Sequence, residues 1–360
     1  MKVIGKILKG IGTVLLIVLI AALVYAAYAF LSYYRIGDKD LPVSDPVTEI
    51  MPVGKEMKIV SWNIGFGAYE QDFTFFMDGG TESRARSKEG LIRNLKMIGS
   101  DLKDEAADLY LVQEVDIGST RSWQVDEREY IIDPLRGYTH TFAQNYDSPY
   151  LMYPLTRPHG ASKSGLLTLS AYNIRSAFRK ELLVETGFTK MLDLDRCYAI
   201  HRIPLDNGKE LVLYNLHLSA YTSDGKVTTE QLRLLLKDMQ NEYNKGNYCI
   251  AGGDFNKDLT GDSEKVFGVN LSEYTWAQPI DDSLFEGLSI RKIVPLHEDA
   301  PVASCRNCDK PYVKGNSVLT VDGFLVSENV KVVDANVIDK QFFSSDHNPV
   351  YMKFILEETK

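Results

Sequence analysis

The sequence predicts an α/β fold in which two packed sheets are flanked by helices, preceded by an N-terminal helix able to span a membrane. Three observations lead there. Apolar runs of strand length recur through the chain, two segments carry apolar residues at helical spacing, and one N-terminal segment is apolar all round. An excess of strands over helices favours two packed sheets over one doubly wound sheet. With 360 residues, 44% hydrophobic and 25% charged, the chain can bury an ample core.

Lys2, Lys6 and Lys9 precede an almost uncharged run from Ile11 to Tyr34, which closes with Tyr33-Tyr34-Arg35. At ~1.5 Å rise per residue the run is long enough to cross a hydrocarbon core of roughly 30 Å. Lysines before it favour a cytoplasmic N-terminus, and tyrosines after it suit the far interface. Residues 1–35 therefore read as a single-pass anchor in the cell membrane, with the rest of the chain on the extracytoplasmic side. A cleaved signal peptide is the competing reading, because Ala27-Tyr28-Ala29 offers a small-x-small site. The run exceeds the roughly 7–15 apolar residues usual for such peptides, which favours the anchor. Residues 36–54 are polar, carry Pro42, Pro46 and Pro52, lack apolar periodicity and read as a linker. The folded domain is expected over 55–360.

Within it, Met57–Trp62 reads as a strand, and Leu91, Ile92, Leu95, Ile98 and Leu102 mark one face of a helix. Leu109–Val112 and Leu211–Tyr214 are further strands. A second helix follows, with apolar face Leu232, Leu235, Leu236, Met239 and Tyr243; Thr228-x-x-Gln231 resembles a capping box at its start, and Lys245-Gly246 is a stop. Tyr248–Ala251, Leu319–Val321, Phe324–Val326, Val330–Val333 and Val350–Ile355 complete the strand pattern.

Polar groups gather at the strand ends: Trp62-Asn63, Gln113-Glu114, Asn215-Leu216-His217, Gly253-Asp254-Phe255-Asn256 and Ser345-Asp346-His347-Asn348-Pro349. Strand side chains alternate with period two, so Asn215 shares a face with His217 and Asp254 with Asn256. Any one pair reads equally well as a turn or a cap. Glu114 is harder to dismiss, since a carboxylate ending a buried run needs a partner. Five such coincidences together indicate a metal-assisted phosphoester-cleaving site.

The charge balance narrows the substrate. Residues 1–35 hold four basic side chains and no acid, so 36 basic residues face 49 acidic ones beyond them, a net −13 against −9 for the whole chain. Such a body lacks the broad positive surface of a protein that tracks nucleic acid. Four cysteines are few for an exported domain, and Cys305-Arg306-Asn307-Cys308, without a second pair, reads as a short disulfide loop or two free thiols rather than a zinc site.

Taken in order, Ser61-Trp62-Asn63-Ile64, Gln113-Glu114-Val115, Asn215-Leu216-His217-Leu218, Gly253-Asp254-Phe255-Asn256, Val321-Asp322-Gly323-Phe324-Leu325-Val326-Ser327 and Ser345-Asp346-His347-Asn348-Pro349 resemble the motifs of the endonuclease/exonuclease/phosphatase superfamily. That superfamily includes deoxyribonuclease I-like enzymes, sphingomyelinases and inositol polyphosphate 5-phosphatases. The resemblance covers about 56–357 and implies a four-layer α/β/β/α sandwich of two mixed sheets between helices. It implies that Glu114, with Asn63 and Asp346, holds a hard divalent cation, for which oxygen ligands favour Mg²⁺ or Mn²⁺. It implies that His347 assists the attacking water, with Asp322 orienting the imidazole, that His217 donates to the phosphate or the leaving group, and that Asp254 positions the water. Asn256 and Asn215 would hold non-bridging oxygens. One departure is Asp322-Gly323-Phe324, where the motif's aromatic residue after the aspartate is a glycine.

Gly118–Lys163, long, loop-like and rich in tyrosine, is the expected region of substrate choice, with Arg157, His159 and Lys163 as candidate phosphate contacts and Arg306 as another. The expected activity is hydrolysis of a phosphomonoester or phosphodiester in a phospholipid or a phosphorylated small molecule. An extracellular nuclease, or a catalytically silent binding module on the same scaffold, is the alternative.

Overall fold

The computed structural model describes residues 2–32, 34–184, 195–220, 225–271, 277–297 and 299–358. Tyr33, expected at the far membrane interface, lies outside the described residues. The first element is helix α1 (Lys2–Leu31), of which Val3–Leu31 is long and apolar enough to cross a membrane. Strands β1 (Lys39–Leu41) and β2 (Glu56–Asn63) follow, then α2 (Lys88–Asp104), β3 (Leu109–Asp116) and the short α3 (Arg128–Ile132). Next come β4 (Thr139–Leu151), β5 (Gly160–Ser170), β6 (Ser176–Glu181), β7 (Cys197–Pro204), β8 (Glu210–His217), α4 (Lys226–Asn244) and β9 (Tyr248–Asp254). The chain ends with α5 (Ser263–Phe267), β10 (Ile290–Ile293), β11 (Cys305–Arg306), β12 (Val318–Leu319), β13 (Asp322–Ser327), β14 (Val330–Val337) and β15 (Val350–Leu356).

These strands form two mixed sheets, one ordered β1-β6-β7-β8-β9-β13-β10 and the other β14-β15-β2-β3-β5-β4, with β11 and β12 pairing apart. Side-chain parity then builds four layers. On β2, Met57 and Ile59 face the other sheet, where they meet Leu213, Ile250 and Phe324, while Val60 and Trp62 face outward to Leu91, Leu95 and Ile98 of α2. On the far side, Val212, Tyr214, Cys249 and Ala251 pack under Leu232, Leu235, Leu236 and Met239 of α4. The expected sandwich is therefore present, with each sheet's outer face covered by one amphipathic helix.

Several local expectations change. The stretch 36–54, expected as a linker, carries β1, which pairs with β6, and Met51, which bridges to Leu205 and is fully buried. Packed structure thus begins ahead of Lys55. Most of Gly118–Lys163 is not loop: it holds α3 and the β4–β5 hairpin. The capping box does not form, because α4 begins at Lys226 with Gly225 as its N-cap. Thr228 donates instead to the Ser219 carbonyl, and Gln231 accepts from the Ser219 N–H, so both side chains fasten the β8–α4 loop. Leu319–Val321 is strand only over Val318–Leu319. The cysteines are free and buried.

Candidate active site

The parity that places Met57 and Ile59 between the sheets does the same for Ser61 and Asn63. On β8 it is Leu211, Leu213, Asn215 and His217, on β9 Ile250, Gly252 and Asp254, and on β13 Asp322, Phe324 and Val326. The register then sets His217 beside Asp254 and Asp254 beside Asp322. Four polar strand ends therefore meet at one edge of the inter-sheet core.

Glu114 reaches the same place by a different route. Simple alternation would turn it toward α2, with Val112. A bulge intervenes: Val112 pairs with Leu167 but Val115 with Gly165, and Glu114 takes a left-handed backbone with φ of 55°. Its carboxylate consequently lies 3.4 Å from Asn63 Nδ2. Asp346 arrives on the loop before β15, which Ser345 Oγ ties to the Asn63 carbonyl and Trp62 Nε1 ties to the His347 carbonyl. Gly65 is required here, since its φ is 52° and a Cβ would come within 2.8 Å of Asp346 Oδ1.

The centre of the cluster is hydrogen-bonded. His347 Nδ1 lies 2.7 Å from Asp322 Oδ2, so Nδ1 carries the proton and Nε2 faces Asp254 Oδ2 at 3.9 Å. His217 Nε2 is 3.4 Å from the same Asp254 oxygen, and Asn63 Nδ2 donates to it at 3.1 Å. One ligand atom each from Asp254, Asp322 and His347 falls within 4.8 Å of the others, close enough to hold a cation. Asp322 Oδ1 and His217 Nδ1 are buried without a hydrogen-bond partner among the described residues.

Electrostatics separate the two histidines. Burial opposes charge on both. For His347 the carboxylate of Asp322 overrides it and holds the imidazole well above its ordinary 6.5. For His217, burial acts together with the charges of Arg196, His347 and Arg121, and keeps the ring neutral. Burial raises the Glu114 carboxyl, with Asp346 adding to the shift and Arg121 and Arg196 opposing it. Burial likewise raises Asp254, with Asp322 adding and His347 opposing. Acidic oxygens crowded at raised pKa values are a donor set suited to a hard cation.

Three expected roles are altered by what the side chains touch. Asn215 is sealed between the sheets: both amide protons are engaged, by the Leu167 carbonyl and Thr168 Oγ1, and its Oδ1 accepts from Gln113 Nε2. It is not free to hold a phosphate oxygen. Asn63 turns its Nδ2 into the cluster while its Oδ1 accepts from the Gly65 N–H, so ligation would use the second lone pair of that oxygen. Asn256 gives one amide proton to the Leu218 carbonyl and keeps the other, while its backbone N–H donates to Asp254 Oδ1.

The expected basic contacts mostly serve the scaffold. His159 is buried against the Ser83 carbonyl and pushed down to about 4, Arg157 binds the Ala85 and Arg86 carbonyls, and Arg306 binds those of Glu70 and Phe73. Lys163 is an exposed side chain 4.0 Å from Asp147. Arg121 went unmarked in the sequence. Its guanidinium grips Asp116 with two hydrogen bonds, covers the Phe66 ring at 3.9 Å and stands 3.9 Å from Glu114. Nothing in its sequence context sets it apart from other loop arginines. Cys305 Sγ, also unassigned, lies 3.6 Å from His347 Nε2, and burial pushes its thiol up to about 12.

The chain belongs to the endonuclease/exonuclease/phosphatase family, whose model matches residues 60–347. Members of that family are generally phosphoric ester hydrolases and typically depend on a divalent metal. No curated protein matches the chain. Among solved structures it resembles an endonuclease/exonuclease/phosphatase from Beutenbergia cavernae DSM 12333, at 16% identity and a TM-score of 0.53, over 84% of this chain and 72% of that one. It also resembles ANGEL2, described as a 2',3'-cyclic phosphatase, at 16% identity and a TM-score of 0.53, over 89% and 99% of the two chains. A humanized D. rerio TDP2 aligns at 14% identity and a TM-score of 0.51, over 83% and 98%. At these identities the likeness concerns the fold.

Proposed function

We infer that this protein is a membrane-anchored, divalent-metal-dependent phosphoesterase whose catalytic domain lies outside the cytoplasm and which hydrolyses a phosphomonoester or phosphodiester by attack of water. The observation that carries the reading is the cluster of Asp322, His347, Asp254 and His217, buried beside Glu114 and left, among the described residues, with an unpaired oxygen on Asp322 and an unpaired ring nitrogen on His217. Buried polar atoms are rarely left so unless a ligand completes them.

Glu114 and Asp346, with Asn63 beside them, would hold Mg²⁺ or Mn²⁺. Bound there, such a cation would supply positive charge opposite the phosphoryl and leaving oxygens. Asp322 favours the imidazolium of His347, so His347 accepts the proton of the attacking water at Nε2 only in its deprotonated form, and Asp322 stabilises the resulting imidazolium from the other side of the ring. Asp254, within reach of both imidazoles, orients the water. Neutral His217 and the free amide proton of Asn256 donate to non-bridging oxygens. The net −13 beyond the anchor favours a phospholipid or a phosphorylated small molecule over nucleic acid.

The test is turnover of a panel of phosphoinositides, sphingomyelin, simple phosphomonoesters, cyclic nucleotides and nucleic acids, with Mg²⁺ or with chelator. Metal-dependent turnover that vanishes in Asp254→Ala is expected. Turnover insensitive to chelator would reject the mechanism, and no turnover on any substrate would favour a silent binding module.

A further inference from the structure

The outer end of α1 does not hang free of the domain. Tyr25 Oη donates to the Tyr150 carbonyl at 3.2 Å and accepts from the Met152 N–H at 3.1 Å, and Tyr28 Oη accepts from the Tyr150 N–H at 3.2 Å. Two tyrosines in the last two turns of the span thus hold the far end of β4, the edge strand of its sheet. That end carries the chain into the β4–β5 connection, Tyr150-Leu151-Met152-Tyr153-Pro154-Leu155, which has no acidic residue. Its side chains are turned out: Met152 is 46% exposed, Tyr153 68% and Leu155 81%.

An apolar tip of this kind on an edge strand is a liability in water. Tyrosine rings of a membrane span belong to the interfacial belt. A segment hydrogen-bonded to two of them through its own backbone shares their depth. We propose that the β4–β5 hairpin tip, Tyr150 to Leu155, is seated in the lipid interface beside the outer end of α1, so that the domain rests on the bilayer at two points. The inference rests on the reading of α1 as a membrane span, and it does not depend on catalysis.

The seat has a consequence for the site. Tyr146, six residues up β4 from Met152, stacks against Arg121, which stands 3.9 Å from Glu114. At ~3.3 Å per strand residue, Tyr146 lies at most about 20 Å from the tip. The catalytic cluster is therefore held near the headgroup layer, where a phospholipid ester is the substrate at hand.

The test uses the full chain reconstituted into phosphatidylcholine/phosphatidylglycerol vesicles. The four native cysteines are buried, so Leu155→Cys can be labelled with an environment-sensitive fluorophore. Val333→Cys, exposed on β14 at the opposite edge of the same sheet, is the reference. The label at 155 is expected to emit at shorter wavelength and to be quenched several-fold more by lipid-borne nitroxide than the label at 333. Protein that floats with the vesicles while both labels behave alike overturns the seat and leaves the anchor standing. Protein that does not float overturns both.

Discussion

Two sets of polar side chains lie between the sheets, adjoining each other within two residues on β2, β3 and β8, and they are finished in opposite ways. Ser61, Gln113, Asn215 and Thr168 form a closed chain: Gln113 Nε2 binds Ser61 Oγ and Asn215 Oδ1, and Asn215 binds Thr168 Oγ1, all fully buried. One step further toward the strand ends, Asn63, Glu114, His217, Asp254, Asp322 and His347 crowd together with Asp322 Oδ1 and His217 Nδ1 unpaired among the described residues. A satisfied network holds the sheets in register, whereas an unfinished one is completed by a ligand. The contrast separates scaffold from chemistry in residues of nearly the same type.

The largest effect should come from the unfinished set. His347→Ala removes the proton acceptor and should lower kcat by about 10³-fold, within the span usual for a general base. Circular dichroism should show the fold retained, and a variant that keeps its turnover would break the contrast.

A second prediction concerns His201, fully buried between the sheets on the Thr141 hydroxyl and the Leu213 carbonyl and away from the cluster. Burial pushes its imidazole down to about 4. The unfolded chain takes up this proton near pH 6.5 and the folded one only near 4, so stability is full above 6.5 and falls as pH drops through this window. At about 1.4 kcal/mol per unit, the loss reaches about 3–4 kcal/mol. Urea unfolding of the detergent-solubilised chain should show a slope in this window, to which buried His159 and His217 also contribute, and His201→Gln, which cannot take the proton, should reduce it by the share of His201. An unchanged slope would place the titration elsewhere.

The closed set gives the smallest effect. Thr168→Val deletes the oxygen that accepts from Asn215 while keeping the shape. It should cost about 2 kcal/mol in urea unfolding and leave kcat within about two-fold of the parent. A large loss of kcat at unchanged stability would mean that the closed network reaches the chemistry after all.

How far these features could be read from sequence follows from what encodes them. β2, β3, β8, β9, β13 and β15 announce themselves because both faces or one face are apolar without a break, and α2 and α4 because their apolar residues recur at helical spacing. The β4–β5 hairpin hides because Thr139, Thr141, Gln144, Asn145, Ser162, Ser164 and Thr168 line much of it, and polar alternation looks like loop. β1 has three residues and exists only because β6 offers an edge. Among site residues, Asn63, His217, Asp254 and Asp322 follow from strand parity. Glu114 does not, since its aim depends on a bulge, and bulges depend on the partner strand. Asn215 misled for the complementary reason: parity puts it beside His217, but only the opposite sheet decides that its protons are already taken. Arg121 was invisible because its role is set wholly by tertiary contacts with Asp116, Phe66 and Glu114.

The most direct test is to hydrolyse the best substrate of the panel in ¹⁸O-water with Mg²⁺, using the parent chain and Asp254→Ala in parallel. Direct attack of water on phosphorus in the unfinished cluster predicts one ¹⁸O in the phosphate product, none in the released alcohol, and at least a 10²-fold slower rate in the variant. Label in the alcohol, or equal rates for the two proteins, would contradict it.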